Sequence, residues 1–443
     1  MKSFRYLYKT FFSYVIPRYH RVRGLIIQIY KADYKDGLNQ LDKRDVVFFC
    51  HDNDRPLTLR NKAFSPLVDS LRNDFESRGL KCCSIAHPLS SLVMCKGYGE
   101  PVSFNFAYLR YKVLKKIFRW TGLSSENTSD PYSLILDKTT PGLIVTIGSP
   151  IELAVAARRK KILHVEVLHG IGYIKLPWGW GKLPKDLLPQ GILSLDNVSA
   201  LTFSRLVYKG LFIKTIPHPF LRLFVGETER SYKEWIYPKN PNAERYRKHI
   251  IVILTSRNSK PDLTGKPATI LKNGLFYDEI RQLVAEEKEI FWHFRLHPIQ
   301  LRSPVFRRER KFLNEFVSRH SNADWVNSSN LPLPSIARLL DGAVGMTSMS
   351  SYELAAMGVP TLLLCPTVQK GAVNQDKFTD LEGEGYVTKA NVNKEMLRKW
   401  VHRAHKMKPR LSNLEDDGAW EDAVEWMLRK SGLDERIKRR ASI

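Results

Sequence analysis

From residue 45 onward, short apolar runs alternate with segments whose apolar residues recur every three or four positions, and the two patterns predict strands and helices in turn. DVVFFC (45–50), LKCCSIA (80–86), GLIVTIGS (142–149) and ILHVEVLHG (162–170) read as strands. Between them, Pro66–Arg78 and PIELAVAARRKK (150–161) read as helices, the second opened by Pro150. Strand, helix and strand in this succession make a βαβ unit, and its repetition implies a parallel sheet.

The pattern is lost over 226–249, where Pro238, Pro241 and mixed charges leave no stripe and an interdomain connector is expected. It restarts with strands IIVILTS, IFWHFRLHP, ADWV, GAVGMTS and PTLLL, separated by helices over Leu275–Lys288, Val305–Arg319, PSIARLL and SSYELAAMG. The fold class that follows is α/β: two Rossmann-like, doubly wound domains facing across a cleft. The first is placed at 45–225 and the second at 250–405, with a helical, basic tail over 406–443. A length of 443 residues suits two domains.

Residues 1–44 differ. Phe4, Leu7, Tyr8, Phe11, Phe12 and Val15 share one helical face, Arg5 and Lys9 lie on the other, and Pro17 stops the pattern. Arg18, Arg21 and Arg23 then precede Leu25, Ile26, Ile29 and Tyr30. This composition suits an interfacial helix at a bilayer surface. The same apolar stripe would equally serve to pack a helix on its own domain.

Composition narrows the partners. Seventy Lys and Arg against 45 Asp and Glu give a net charge of +25, which favours a polyanion: nucleic acid, anionic lipid headgroups or phosphorylated substrates. Nucleic acid is set aside because the chain shows no zinc-ligand set, no aromatic RNA-binding motif and no helix concentrating the charge. Five cysteines without paired spacing argue against disulfides or structural zinc. No apolar run approaches the ~20 residues of a membrane span, and no signal peptide is expected. A cytoplasmic protein, peripheral on the inner face of the plasma membrane, fits these features.

Three strand exits carry candidate chemistry. VLHG (167–170) ends one strand on His169 and a glycine. RLHP (295–298) ends another on Arg295 and His297. In GMTSMSSYELAAMG (345–358), Thr347, Ser348, Ser350 and Ser351 fall between a strand and a helix, where hydroxyls and unpaired amides can hold a phosphate. Each has a plainer reading: an ordinary N-cap for the serines, solvated or backbone-bonded histidines for the others.

In this order the three motifs resemble those of bacterial cell-surface polysaccharide glycosyltransferases of the two-Rossmann GT-B architecture. That group includes capsule and lipopolysaccharide transferases, CDP-glycerol glycerophosphotransferases of teichoic acid synthesis and capsule polysialyltransferases. The matching pieces, PIELAVAARRKKILHVEVLHG, FRLHP and TSMSSYELAAMGVPTLLL, lie within 142–365. The resemblance implies that His297, Ser348, Ser350 and Ser351 hold the phosphates of a nucleotide-sugar donor, with His169 across the cleft near the reacting centre. Two departures weigh against a glycerophosphate donor: HGIGYIK places Lys175 one position late and lacks a proline, and SMSS lacks an aspartate before the serine pair. HDNDR (51–55) only loosely matches the acidic motif of the polysialyltransferases.

Sugar transfer needs a base for the acceptor hydroxyl and hydrogen-bond donors or cations for the departing phosphate. His169 is the expected base, with Asp52 or Asp54 as alternatives. Arg257, Arg295, His297 and the amides near Ser350 are expected on the leaving phosphate. Glu353 could reach a ribose or simply favour the helix dipole. No convincing DxD-like acidic pair is present, so neither metal nor cofactor is expected. The acceptor would be a polysaccharide or lipid-linked glycan beside an anionic membrane surface. The rival readings are a nucleotide-sugar 2-epimerase of the same fold, a glycerophosphotransferase and a non-catalytic capsule assembly protein.

Overall fold

The computed structural model describes residues 29–441 apart from 35–36, 122–129, 207, 209, 225–234, 236–240, 255–270, 272–274, 303–305 and 411–416. Arg257, the stripe from Phe4 to Val15 and most of the connector lie outside the described residues.

Two six-stranded parallel sheets form the two halves of the molecule. The first contains β1 (Val46–Cys50), β4 (Cys82–Ala86), β5 (Leu143–Thr146), β6 (Leu163–Val167), β7 (Gly191–Ser194) and β8 (Phe212–Thr215), in the order β4-β1-β5-β6-β7-β8. A small antiparallel hairpin, β2 (Leu57–Leu59) and β3 (Lys62–Phe64), follows β1. The second sheet contains β9 (Lys248–Ile253), β10 (Ile290–Arg295), β11 (Ala323–Asp324), β12 (Gly342–Gly345), β13 (Thr361–Leu363) and β14 (Val387–Lys389), in the order β11-β10-β9-β12-β13-β14.

Every residue of β1 is buried, because alternate side chains feed two different cores. Val46, Phe48 and Cys50 meet Val68, Leu71 and Phe75 of the helix Val68–Ser77. Val47 and Phe49 meet Tyr132, Ile135 and Leu136 of Pro131–Thr139 and Leu153, Ala156 and Ala157 of Ile151–Arg159. The chain runs from β1 outward to β4 and then crosses to β5, so the first sheet's switch point lies between β1 and β5. The second sheet's lies between β9 and β12. Ligands of open α/β sheets lie outside the carboxyl ends of strands at such points.

The segment after 406 is more than the tail read from the sequence. Helix Asp417–Ser431 returns to the first sheet and buries Trp420, Ala423, Val424 and Met427 in its core. These fall at i, i+3, i+4 and i+7, one helical face. Trp426 stacks on Phe212 at 3.7 Å, and Arg78 pairs with Glu421 at 2.7 Å. A shared apolar cluster joins the halves: Leu59, Phe64, Phe220 and Trp235 pack with Ile251, Ile336, Leu354 and Val359.

Candidate active site

The first wall is the carboxyl edge of the first sheet. After β1 the chain turns through a 3-10 segment, Asp52–Asp54, where His51 Nδ1 accepts the Asn53 N–H at 3.1 Å. Arg55 pins this turn from below: its buried guanidinium donates to Asp69 at 2.7 Å and to the carbonyl of Tyr98 at 3.1 Å. Asp52 accepts from the backbone N–H of Ser91 at 2.9 Å and from the hydroxyls of Ser90 and Ser91. Both oxygens of Asp52 are thus engaged by the loop after β4. Asp54 is different, since burial lifts its carboxyl to about 6 against the opposing charge of Arg55.

A carboxyl outside the candidates from sequence sits at the centre of this edge. Glu166, on β6, is fully buried and accepts the Gly148 N–H at 2.6 Å and the Ser149 N–H at 3.2 Å. Thr146 Oγ1 lies within hydrogen-bond distance of both Glu166 and His164. Burial outweighs these donors and holds Glu166 at about 8, with the negative charge of Asp54 adding to the rise. It was legible in principle: His164 and Glu166, two residues apart in HVEV, put polar groups on one face of a strand that should be apolar on both.

His169 follows β6, exposed at the crevice, with Nε2 3.3 Å from the Tyr173 hydroxyl and its ring against Trp178. Desolvation between these rings lowers its pKa and favours the neutral imidazole. Tyr173 is pushed up to about 12, chiefly by burial and then by Glu166, Asp54 and Asp196. Asp196, the N-cap of Asn197–Phe203, shapes the loop between: it accepts the N–H of Gly172 at 3.2 Å and of Ser199 at 3.1 Å.

The second wall lies on the second sheet. Arg295 ends β10 and donates to the carbonyls of Ser328 and Leu331, the latter at 2.8 Å. Burial lowers it to about 10, partly offset by Glu353. Arg295 is thus a cation spent in part on scaffold carbonyls. Glu353 lies near it: burial raises its carboxyl, and the charge of Arg295 partly offsets the rise. His297 is exposed, and desolvation followed by the charge of Arg295 lowers its pKa. Thr347, Ser348 and Ser350 are half-buried, and Ser351 is buried, around the start of the seven-residue helix Ser350–Ala356. Ser348 Oγ lies 3.0 Å from Ser350 Oγ and accepts the Ser350 N–H at 3.2 Å.

The two walls touch. Gly172 has φ +71, and a Cβ built there would lie 3.1 Å from Tyr352 Oη and 3.2 Å from Met349 Cε. Tyr352 in turn donates to Asp380 at 3.0 Å. The loop after His169 is therefore seated on the start of the serine helix, bringing two of the three motifs together. The third lies close enough for Arg295 and Glu353 to feel each other's charge. Among the described residues, no group of three or more His, Cys, Asp or Glu side chains is placed to hold a metal ion.

No family model and no curated protein matches the chain. Solved structures do. The chain is similar to S. aureus MnaA solved with UDP, at 12% identity over 88% of this chain and 97% of that one, with a TM-score of 0.51. The UDP-GlcNAc 2-epimerase from Methanocaldococcus jannaschii gives 12% identity over 87% and 99%, with a TM-score of 0.50. The wall teichoic acid polymerase TagF gives 12% identity over 96% of each chain, with a TM-score of 0.50. Identity this low shows the fold alone, and the fold is the expected one: two Rossmann-like domains facing across a cleft.

Proposed function

We propose that the chain is a GT-B glycosyltransferase that moves a sugar from a nucleotide-activated donor to a growing cell-surface polysaccharide, capsule or lipopolysaccharide. The observation that carries this reading is the meeting of two unlike walls at Gly172: His169 and carboxyls raised by burial on one side, hydroxyl donors with His297 on the other. Such a division suits a reaction that takes a proton at one end of a bond and releases an anion at the other. The acceptor hydroxyl loses its proton to His169, with Asp54 as the alternative, and its oxygen bonds to the anomeric carbon. The carbon–oxygen bond to the nucleotide phosphate breaks, and the leaving phosphate takes the electron pair. Thr347, Ser348, Ser350, Ser351 and His297 hold that phosphate, while Arg295 beneath them adds positive potential. The acceptor is carried on lipid at the inner face of the plasma membrane. No metal or cofactor is assigned a step.

One observation favours a second reading, a nucleotide-sugar 2-epimerase. Glu166 and Asp54, both raised toward neutrality, resemble the acid and base groups that proton transfer at a sugar carbon requires. The fold likeness to UDP-GlcNAc 2-epimerases fits either reading. Incubation with CMP-, CDP-, UDP- and GDP-linked donors, with and without glycan acceptor, separates them. A transferase releases nucleotide in proportion to acceptor. An epimerase alters the sugar with the nucleotide still attached and ignores the acceptor, and that result would overturn the first reading. CDP-glycerol in the same panel tests the glycerophosphotransferase.

A further inference from the structure

Among the described residues, helix Asn105–Thr121 gathers basic charge on a regular element beside the crevice. Its seventeen residues include Arg110, Lys112, Lys115, Lys116 and Arg119 and no Asp or Glu. The inner side is ordinary core, with Ala107 and Tyr108 packed against the cluster of Phe49, Tyr132 and Ile135. The outer side is not ordinary. Phe106 is 56% exposed, Val113 56% and Ile117 49%. Their spacing of seven and four places them in one line along the helix, with exposed Arg110 and Lys116 on either side.

A solvent-facing stripe of large apolar side chains edged by basic ones is the pattern of a helix lying in a membrane interface. Nucleic acid has no use for three exposed apolar side chains, and an acidic protein surface would be met by the cations alone. From this face we infer a docking surface for an anionic lipid bilayer. Its position gives the contact a purpose. Asn105 Oδ1 accepts the Leu89 N–H at 2.7 Å in the loop after β4, and Lys112 pairs at 2.9 Å with Glu152, just past the turn that holds Glu166. The helix thus lies along the rim of the first wall, where a lipid-carried acceptor would arrive. That purpose rests on the glycosyltransferase reading, whereas the binding itself does not.

The test uses the full chain and needs no substrate. Co-sedimentation is measured with phosphatidylcholine vesicles with and without phosphatidylglycerol, across a salt series. Binding should require phosphatidylglycerol and weaken with salt. It should fall by ~10-fold or more both in Phe106→Ser/Val113→Ser/Ile117→Ser and in Arg110→Ser/Lys116→Ser, because each set removes one of two cooperating attractions. Should a variant melt early, Val113→Cys in a Cys95→Ser background, labelled with an environment-sensitive dye, reports directly. Its emission should shift to the blue on adding anionic vesicles, and should do so again when residues 1–28 are deleted. Unchanged binding in both variants, a dye blind to vesicles that the protein does bind, or equal binding without phosphatidylglycerol would each overturn the proposal. A dimer that dissociates in the apolar variant while vesicle binding persists would assign the face to a second copy of the chain instead.

Discussion

The carboxyl edge of the first sheet carries His51, Asp54, Glu166, His169 and Asp196, whereas that of the second carries Thr347, Ser348, Ser350 and Ser351 above Arg295. On the first edge burial moves carboxyls up and imidazoles down, so that both approach neutrality. On the second, hydroxyls and the cation of Arg295 present fixed donors beside two titratable groups, His297 and Glu353. The same doubly wound scaffold carries mainly carboxyls raised by burial on one side and mainly hydroxyl donors on the other. The contrast teaches where each kind of mutation should act: on rate for the first edge, on nucleotide affinity for the second.

The largest effect should come from His169. His169→Ala is expected to lower kcat by ~10²–10⁴-fold with donor affinity by calorimetry intact. His297→Ala should instead raise the donor KM, and the reverse pattern would exchange the roles of the two edges. Arg295→Met comes next. It abandons the buried carbonyls of Ser328 and Leu331, each a bond to a charged donor, so urea unfolding should show a loss of ~3 kcal/mol. A stable variant with lost nucleotide affinity would make Arg295 a direct ligand.

Glu166→Gln sharpens the comparison through pH. The folded pKa of about 8 lies above the ordinary 4.5, so the folded state keeps a proton that the unfolded state has released. Stability from this group is full below pH 4.5 and is lost as pH rises through 8. Histidines whose folded pKa burial lowers, among them His87, His164 and His293 near 3 and His218 near 4, gain stability with rising pH around their ordinary 6.5, but they do so equally in the native chain and in the variant and cancel in the difference. Between pH 6.5 and 8 the native chain should lose ~2 kcal/mol of stability relative to the Gln variant. Chemical denaturation at each pH measures this arm.

Smaller effects belong to the second edge and the seam. Ser348→Ala with Ser350→Ala should weaken nucleotide binding by ~10-fold, and an unchanged affinity would leave those hydroxyls as a simple cap. Gly172→Ala places a Cβ at φ +71 against Tyr352 and Met349, so ~1 kcal/mol of stability should go, with a few-fold rise in donor KM. If the rise appears in kcat alone, the seam serves only the first edge.

Much of the scaffold was readable. Strands β1, β5, β6, β9 and β10 stand as apolar runs because a parallel strand is buried on both faces. Shorter strands give no such run: those of the hairpin Leu57–Phe64, Gly191–Ser194 and Val387–Lys389 have three or four residues, and Phe212–Thr215, at the sheet edge, is only half-buried throughout. The basic helix Asn105–Thr121 gives no local signal either, since its charges are interleaved with Tyr108, Tyr111 and Leu114 and show their clustering only as a face, contrary to the expectation that no helix concentrates the charge. Three strand exits were found at His169, His297 and the serines, because a polar group that ends an apolar run is a local signal.

By itself the sequence determined what near neighbours can decide: the α/β rhythm, the break between two domains and the polar residues that close each strand. Periodicity and turn residues act over a few positions, so they survive in a one-dimensional reading. Only the tertiary structure decided which groups are chemically free. It tied Asp52 to Ser90 and Ser91 while leaving Asp54 raised to about 6. It buried Glu166 beside an amide pair 17 and 18 residues earlier, brought Trp420 back to a sheet begun at Val46, and set Gly172 against Tyr352. A pKa depends on the water and charge within a few ångströms, and those neighbours come from chain segments that no local pattern connects.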